Sequence, residues 1–374
     1  MRSLFYSIII FATSIAYGWN IAPQAFREKC ASEAPAWMTQ QIEKDLAPFT
    51  RYGVNAQKIE NTLEAIFKVK GGEVSEIVRI CLQNGKVAWW KTPFSLSSRA
   101  QQRLSTFLSA LELLTEITPL PDLDFLLSLA NHYDRPLFSL YTKVPVFTIC
   151  KESSFSQAIL FPSGLWEPDR EILFAKILQQ AQTISWEERT PRGFWRGSLS
   201  ELYTNFYWDF NGRPRLVFFS RTYPDLIDAA FIENAHMQTM DRHWKNWIEN
   251  NRLIKPFVLP EDQLAFRYLI AIDGDASPAS LSWQLFSGSV LLKSESTHSE
   301  WYYGGLEPFV HYLPFNPNRS DLKERIAWLQ EHDDLAHQMA DRAKAFAEER
   351  LSDENVFLYT YKLLKAYSAF TLSQ

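Results

Sequence analysis

From Phe266 to Pro314 short apolar runs alternate with polar turns. Tyr268-Leu269-Ile270-Ala271-Ile272 runs into Asp273-Gly274-Asp275-Ala276-Ser277 and a short helical stretch. The turn Ser287-Gly288-Ser289 then opens Val290-Leu291-Leu292-Lys293, followed by another helix and the apolar stretch ending at Pro314. This alternation predicts parallel strands joined by helical crossovers, and so an α/β fold. Ligands of such sheets sit at the carboxyl ends of the strands. Those ends carry Asp273-Gly274-Asp275 and Lys293. A small polar turn entering a helix N-terminus offers a seat for phosphate.

The remaining pattern extends the same class. Ile42 to Leu46, and Ile59, Leu63 and Ile66, have helical spacing. Val74 to Leu82 and Lys86 to Trp90 flank Asn84-Gly85, a two-residue hairpin signal. Leu104, Leu108, Leu111 and Leu114 line one face of a helix from Ser98 to Thr115. Leu123 to Leu129 and Val144 to Cys150 read as buried strands, with Asn131-His132-Tyr133-Asp134-Arg135-Pro136 between them. A helix follows from Asp169 to Thr183. Arg215 to Ser220 reads as an apolar strand, and Asp228 as a helix start. The tail is helical, with Leu322, Ile326 and Leu329 in one stripe, Leu335, Met339 and Phe346 in another, and Ser352 capping a last helix.

The chain has 374 residues, enough for two domains. With 46% hydrophobic and 22% charged residues it is globular in composition. A net charge of -5 argues against a nucleic-acid partner. Arg2, an uncharged run from Leu4 to Ala16, and the small residues Ala16 and Gly18 suggest a signal peptide over residues 1–18. An uncleaved membrane anchor is the alternative, and either reading sends the chain out of the cytosol. Cys30, Cys81 and Cys150 allow at most one internal disulfide and have no zinc-site spacing. No Gly-x-Ser-x-Gly elbow or Walker loop supplies a hydrolase or nucleotidase site.

Several segments carry a family resemblance. They are Tyr268-Leu269-Ile270 before the Asp-Gly turn, Ser287-Gly288-Ser289 before an apolar strand, and Pro308-x-Val310-His311-Tyr312-x-Pro314. Trp195-Arg196-Gly197-Ser198, Ser220-Arg221 and Asp228-Ala229 add to them. Together they resemble glycosyl transferase family 90, which includes capsule- and lipopolysaccharide-modifying proteins and protein O-glucosyltransferases. The resemblance covers roughly residues 75 to 370 and is strongest after Trp195.

The resemblance implies two Rossmann-like domains facing a cleft, the GT-B arrangement. An acceptor-binding domain would span residues 19–200 and a nucleotide-sugar domain residues 201–350, with a C-terminal helix over 351–374 returning to the first. It implies transfer of glucose or xylose from a UDP-sugar to a hydroxyl of an envelope glycan such as lipopolysaccharide. The reaction would invert the anomeric carbon, with no metal and no cofactor beyond the donor. A protein Ser acceptor is the alternative. A non-catalytic carbohydrate-binding protein on the same fold is the rival from another class.

For site residues, the resemblance makes Asp134, in Asp134-Arg135-Pro136, the general base that takes the acceptor's proton. Read alone, an Asp before Arg-Pro is a turn residue. Arg196, Gly197 and Ser198 would meet the donor phosphates through a guanidinium fork, close backbone approach and a hydroxyl. Arg221 would meet nucleotide or phosphate, or pair with Asp225 or Asp228. Asp273, Gly274, Ser277, Ser280 and Lys293 would complete the donor side. Two departures stand out: Leu199-Ser200 where animal members have Arg-Thr, and Pro278 and Ser280 where they have Ser and a diphosphate-contacting Arg. Asp273-Gly274-Asp275 imitates an Asp-x-Asp metal motif, but this family works without metal. His311 is either a satisfied core residue or a catalyst.

Overall fold

The computed structural model describes residues 19, 21–49, 53–70, 76–131, 144–154, 157–167, 169–199, 212–233, 242–274 and 276–370. Asp134, Ser200, Asp275 and the leader residues 1–18 lie outside the described residues. The chain divides into two compact units. One comprises residues up to Glu171, His298–Gly305 and the chain from Ser352; the other comprises Ile172–Thr297 and Leu306–Leu351.

The first unit contains α1 (Pro23–Ala31), α2 (Ala36–Leu46), α3 (Ala56–Lys70), β1 (Ile77–Gln83), β2 (Lys86–Lys91), α4 (Ser98–Ile117), β3 (Leu123–Ser128), β4 (Val146–Thr148), β5 (Lys151–Glu152) and β6 (Ala158–Leu160). A 3-10 turn at Ser163–Trp166 then leads to α5 (Arg170–Thr183), which from Ile172 belongs to the second unit. The sheet runs β2-β1-β3-β4-β6. β1 is antiparallel to both neighbours, whereas β3, β4 and β6 are parallel. The β1–β2 turn forms as expected, because Asn84 (φ 54°) and Gly85 (φ 72°) both take the left-handed conformation that a tight hairpin needs. Ser97 starts α4 by accepting a hydrogen bond from the Ala100 amide at 3.1 Å. Leu104, Leu108, Leu111 and Leu114 are buried.

Buried charge also organises this unit. Asp45 is fully buried and accepts hydrogen bonds from Lys151 Nζ at 2.7 Å, the Leu160 amide at 2.9 Å and Gln41 Nε2 at 3.0 Å. A helix, a short strand and the β6 edge are thus tied through one carboxylate.

The second unit contains β7 (Thr190–Gly197), α6 (Gly212–Thr222), β8 (Ile227–Phe231), α7 (Arg242–Asn250), β9 (Phe266–Ala271), α8 (Leu281–Gln284), β10 (Val290–Ser294), β12 (Leu313–Phe315), α9 (Leu322–Glu331) and α10 (Asp333–Arg350). Its five strands are all parallel, in the order β12-β10-β9-β7-β8. Their apolar residues, among them Tyr268, Ile270, Val290, Leu292 and Phe315, form a core with Leu322, Ile326 and Ala340 of the C-terminal helices. β11 (His298–Ser299) pairs with β5, and α11 (Asp353–Ser368) also belongs to the first unit.

Two expectations are corrected. Arg215 to Ser220 is helical, within α6, and the strand is Ile227–Phe231, so Asp228 lies in β8 instead of starting a helix. Leu216 and Val217 face the core while Phe218 and Phe219 pack at its margin, an arrangement that a helix serves as well as a strand. Between β10 and β12 stand the two-residue β11 and a 3-10 turn, Tyr303–Gly305, in place of an α-helical crossover. Trp301 is instead buried in the first unit against Tyr359 at 4.9 Å and Trp37 at 5.7 Å. By its internal contacts the chain divides before Ile172, which keeps β7 with its partners β8 and β9.

Candidate functional site

The second sheet has a topological switch point. From β7 the chain moves to β8 on one side and then crosses to β9 on the other. The carboxyl ends of β7 and β9 flank this switch point, the usual ligand position in such sheets. The segment after β7 carries Ser198, and the segment after β9 carries Asp273 and Gly274.

Arg213 joins the two segments. Its Nη1 donates to the Ser198 carbonyl at 3.0 Å and to Ser198 Oγ at 3.2 Å, and its Nε donates to the Asp273 carbonyl at 3.0 Å. The guanidinium also stands over the Trp195 ring at 5.8 Å. Asp273 Oδ2 accepts from the Ser296 hydroxyl. Arg319, buried after β12, donates to the Gly212 carbonyl and lies over Phe315 at 5.5 Å. The carboxyl edge thus carries the guanidinium groups of Arg213 and Arg319, neither anticipated. A signal for Arg213 was present: the first turn of α6 holds Arg213 and Arg215 and no acid. Cations at a helix N-terminus oppose the macrodipole, so their placement there calls for another purpose.

Trp195 and Arg196 alternate across β7. The Trp195 indole is buried and covers Gly197, where an added Cβ would lie 2.2 Å from Cζ2. Only glycine leaves that room. Arg196 turns to the other face, stacks over Phe194 at 4.5 Å and pairs with Asp228. Its Nη2 donates to Asp228 Oδ2 at 3.0 Å, and Lys255 Nζ donates to Asp228 Oδ1 at 2.7 Å. Burial pushes the Asp228 carboxyl up, but hydrogen bonds from Arg196 and Lys255 outweigh it and hold the group below its ordinary value. Arg196 is therefore engaged within the sheet, apart from the Ser198–Arg213–Asp273 cluster.

The other predicted residues are spread along the unit. Lys293 lies near the carboxyl end of β10, largely buried, with Nζ 5.8 Å from the Tyr312 ring. Ser277 and Ser280 follow β9 in the approach to α8, but α8 is only four residues long and Ser280 makes no side-chain cap. The expected helix-start seat is thus reduced to a single turn. Arg221 ends α6 and donates to the Asn251 carbonyl at 3.0 Å and to its side chain at 3.2 Å. Since α6 precedes β8, Arg221 lies towards the amino end of that strand, away from Ser198 and Asp273. The Ser287-Gly288-Ser289 turn is also remote, because Arg189 donates to the Ser287 carbonyl at 3.0 Å and Ser289 Oγ at 2.8 Å, at the amino end of β10. His311 Nδ1 accepts from the Glu307 amide at 2.9 Å, and burial first of all keeps its pKa below the usual value. That is the satisfied structural histidine of the two readings.

The sequence profile of the family described as Glycosyl transferase family 90 matches residues 29–373. The chain belongs to glycosyl transferase family 90. Similar family proteins include protein O-glucosyltransferase 2 of Danio rerio, 26% identical over 68% of this chain and 49% of that protein. Human protein O-glucosyltransferase 3 is 26% identical over 92% of this chain and 64% of that protein. The chain thus spans about half to two thirds of the length of these relatives. Among solved structures, Anabaena HepE in complex with UDP and glucose is similar at TM-score 0.42 and 11% identity, covering 71% of this chain and 76% of that one. No described helix is long and apolar enough to cross a membrane.

Proposed function

We propose that this protein transfers a monosaccharide, glucose or xylose, from a UDP-sugar to an alcohol hydroxyl, by single displacement with inversion and without a metal ion. The observation that carries the proposal is the meeting of Ser198, Arg213 and Asp273 at the switch point of an all-parallel sheet, in a family 90 chain. A diphosphate placed there meets guanidinium charge, and as the donor bond breaks that charge stabilises the departing phosphate. Ser277, Ser280, Gly274 and Lys293 complete the donor side in this reading. Asp134 takes the acceptor's proton. Its support is the Asp134-Arg135-Pro136 match to the family, and a nucleotide diphosphate, already a good leaving group, requires no general acid.

The proposed acceptor is a hydroxyl of an envelope glycan such as lipopolysaccharide, supported by the small number of cysteines. The names of the curated relatives favour a second reading, a Ser hydroxyl of an exported protein. Both place the enzyme outside the cytosol, in line with the leader-like residues 1–18. UDP release from UDP-glucose and UDP-xylose, measured with glycan and with protein acceptors, tests the function and separates the acceptors. Absence of release with every donor and acceptor would leave a carbohydrate-binding protein on this fold.

A further inference from the structure

The first unit has a polar cluster of its own. β3, β4 and β6 are parallel, so the chain after Ser128 and the chain after Leu160 leave from the same edge of the sheet. The first carries Leu129 and Asn131, and the second carries the 3-10 turn Ser163–Trp166 and Glu167. α4 supplies Arg99 and Arg103. Arg103 is buried, donates to the Leu129 carbonyl at 2.6 Å and to Asn131 Oδ1, and stands over the Trp166 ring at 4.8 Å. Arg99 is exposed and reaches Asn131 Oδ1 at 3.4 Å. The Trp166 indole N–H is buried with no hydrogen-bond partner among the described residues.

Glu167 is the acid of this group. Glu167 is an exposed residue, yet desolvation of its carboxyl by the surrounding groups raises it above the ordinary value, while Arg170, Arg103, Arg99 and a hydrogen bond with Ser163 act in the opposite sense. Arg170 is also paired with Asp353 at 3.1 Å. The edge therefore presents a carboxylate, an exposed guanidinium and a carboxamide, each planar and each with at least two polar atoms, around a buried indole. A phosphate would be attracted by Arg99 and repelled by Glu167. A neutral polyol faces no such conflict, because its hydroxyls donate to the carboxylate and accept from the guanidinium.

We propose that Arg99, Asn131 and Glu167 form a binding site for the hydroxyls of a single sugar ring. The choice of a sugar as ligand rests on the glycosyl-transfer reading. The ring belongs either to the donor or to the acceptor, and the chemistry of the site is the same for both. Arg103 acts as a positioning residue, holding Asn131 and the end of β3 against Trp166.

Saturation-transfer NMR titration with methyl β-D-glucopyranoside and methyl β-D-xylopyranoside, together with calorimetric titration of UDP-glucose and of UDP, tests this. The proteins are wild type, Glu167→Gln, which keeps the side-chain shape, and Arg99→Ala, which is a surface change. Each variant is expected to weaken sugar binding about tenfold or more, because a charged hydrogen bond is lost, with the unfolding temperature unchanged. If the ring is the donor's, UDP-glucose binding falls and UDP binding does not. If it is the acceptor's, methyl glycoside binding alone falls. Wild-type protein that binds none of the sugar probes, unaltered affinities in both variants, or an equal loss for UDP and UDP-glucose would overturn the site. If no UDP-sugar is turned over but methyl glycoside binding still depends on Glu167, the transfer reading fails and the site stands.

Discussion

Replacing Gly197 with alanine should displace a tryptophan. An alanine Cβ there would lie 2.2, 2.8 and 2.9 Å from Cζ2, Cη2 and Cε2 of Trp195. Carbon atoms pack at about 3.5–4.0 Å, so the indole must retreat by roughly 1–1.5 Å. It has little room, being 5% exposed and set edge-on to Phe231 at 6.1 Å within the second unit's core. Overpacking of this kind costs about 1–3 kcal/mol. In a unit of this size each kcal/mol lowers the melting temperature by about 2–4 °C. Calorimetry of Gly197→Ala, Trp195→Leu and the double variant isolates the contact. With the indole removed, the same alanine should cost less than about 0.5 kcal/mol, so the cycle should show strong coupling. Because Arg213 stands 5.8 Å from the Trp195 ring, UDP-glucose affinity should fall along with stability. Equal costs in both backgrounds, or no cost in the wild-type background, would refute the packing argument.

Arg213→Gln removes the guanidinium that bridges Ser198 and Asp273 and should weaken UDP-glucose binding about tenfold or more, as read by calorimetric titration. Asp45→Asn leaves Lys151 buried without its charge partner and should cost about 3–5 kcal/mol in urea unfolding. The depressed pKa of Asp228 contributes stability that is present above the unfolded carboxylate value and lost as pH falls through the folded one. Asp228→Asn should therefore lower stability near neutral pH and flatten the decline below about pH 4 in acid titrations followed by circular dichroism.

The second unit's sheet was legible because strands buried on both faces leave continuous apolar runs, as in Tyr268–Ala271 and Val290–Leu292. The hairpin at Asn84-Gly85 was legible because few residues tolerate its backbone conformation. Leu216-Val217-Phe218-Phe219 misled, because a run of that length suits a buried strand and an amphipathic helix equally. Pro214 was the better guide, since proline is accepted in a helix's first turn and fits poorly in a central strand. With α6 read as a strand, Arg221 was placed at the wrong end of the sheet and Arg213 went unseen. No local pattern announces Arg213 as a bridge, because its partners Ser198 and Asp273 come together only through strand order. The family motifs divide likewise. Ser198 and Asp273 are joined at the switch point by Arg213, whereas Arg196 and the Ser287-Gly288-Ser289 turn are held inside the unit by Asp228 and Arg189.

Sugar transfer with Asp134 as base is tested by UDP release from purified wild-type protein and from Asp134→Asn, with UDP-glucose and UDP-xylose as donors. The wild type is expected to release UDP only when an acceptor is present. Asp134→Asn should retain the wild-type melting temperature and donor affinity but lose transfer by about two to four orders of magnitude, the contribution of a general base. Undiminished release by Asp134→Asn would contradict the assigned base, and no release by the wild type with any acceptor would contradict the enzyme.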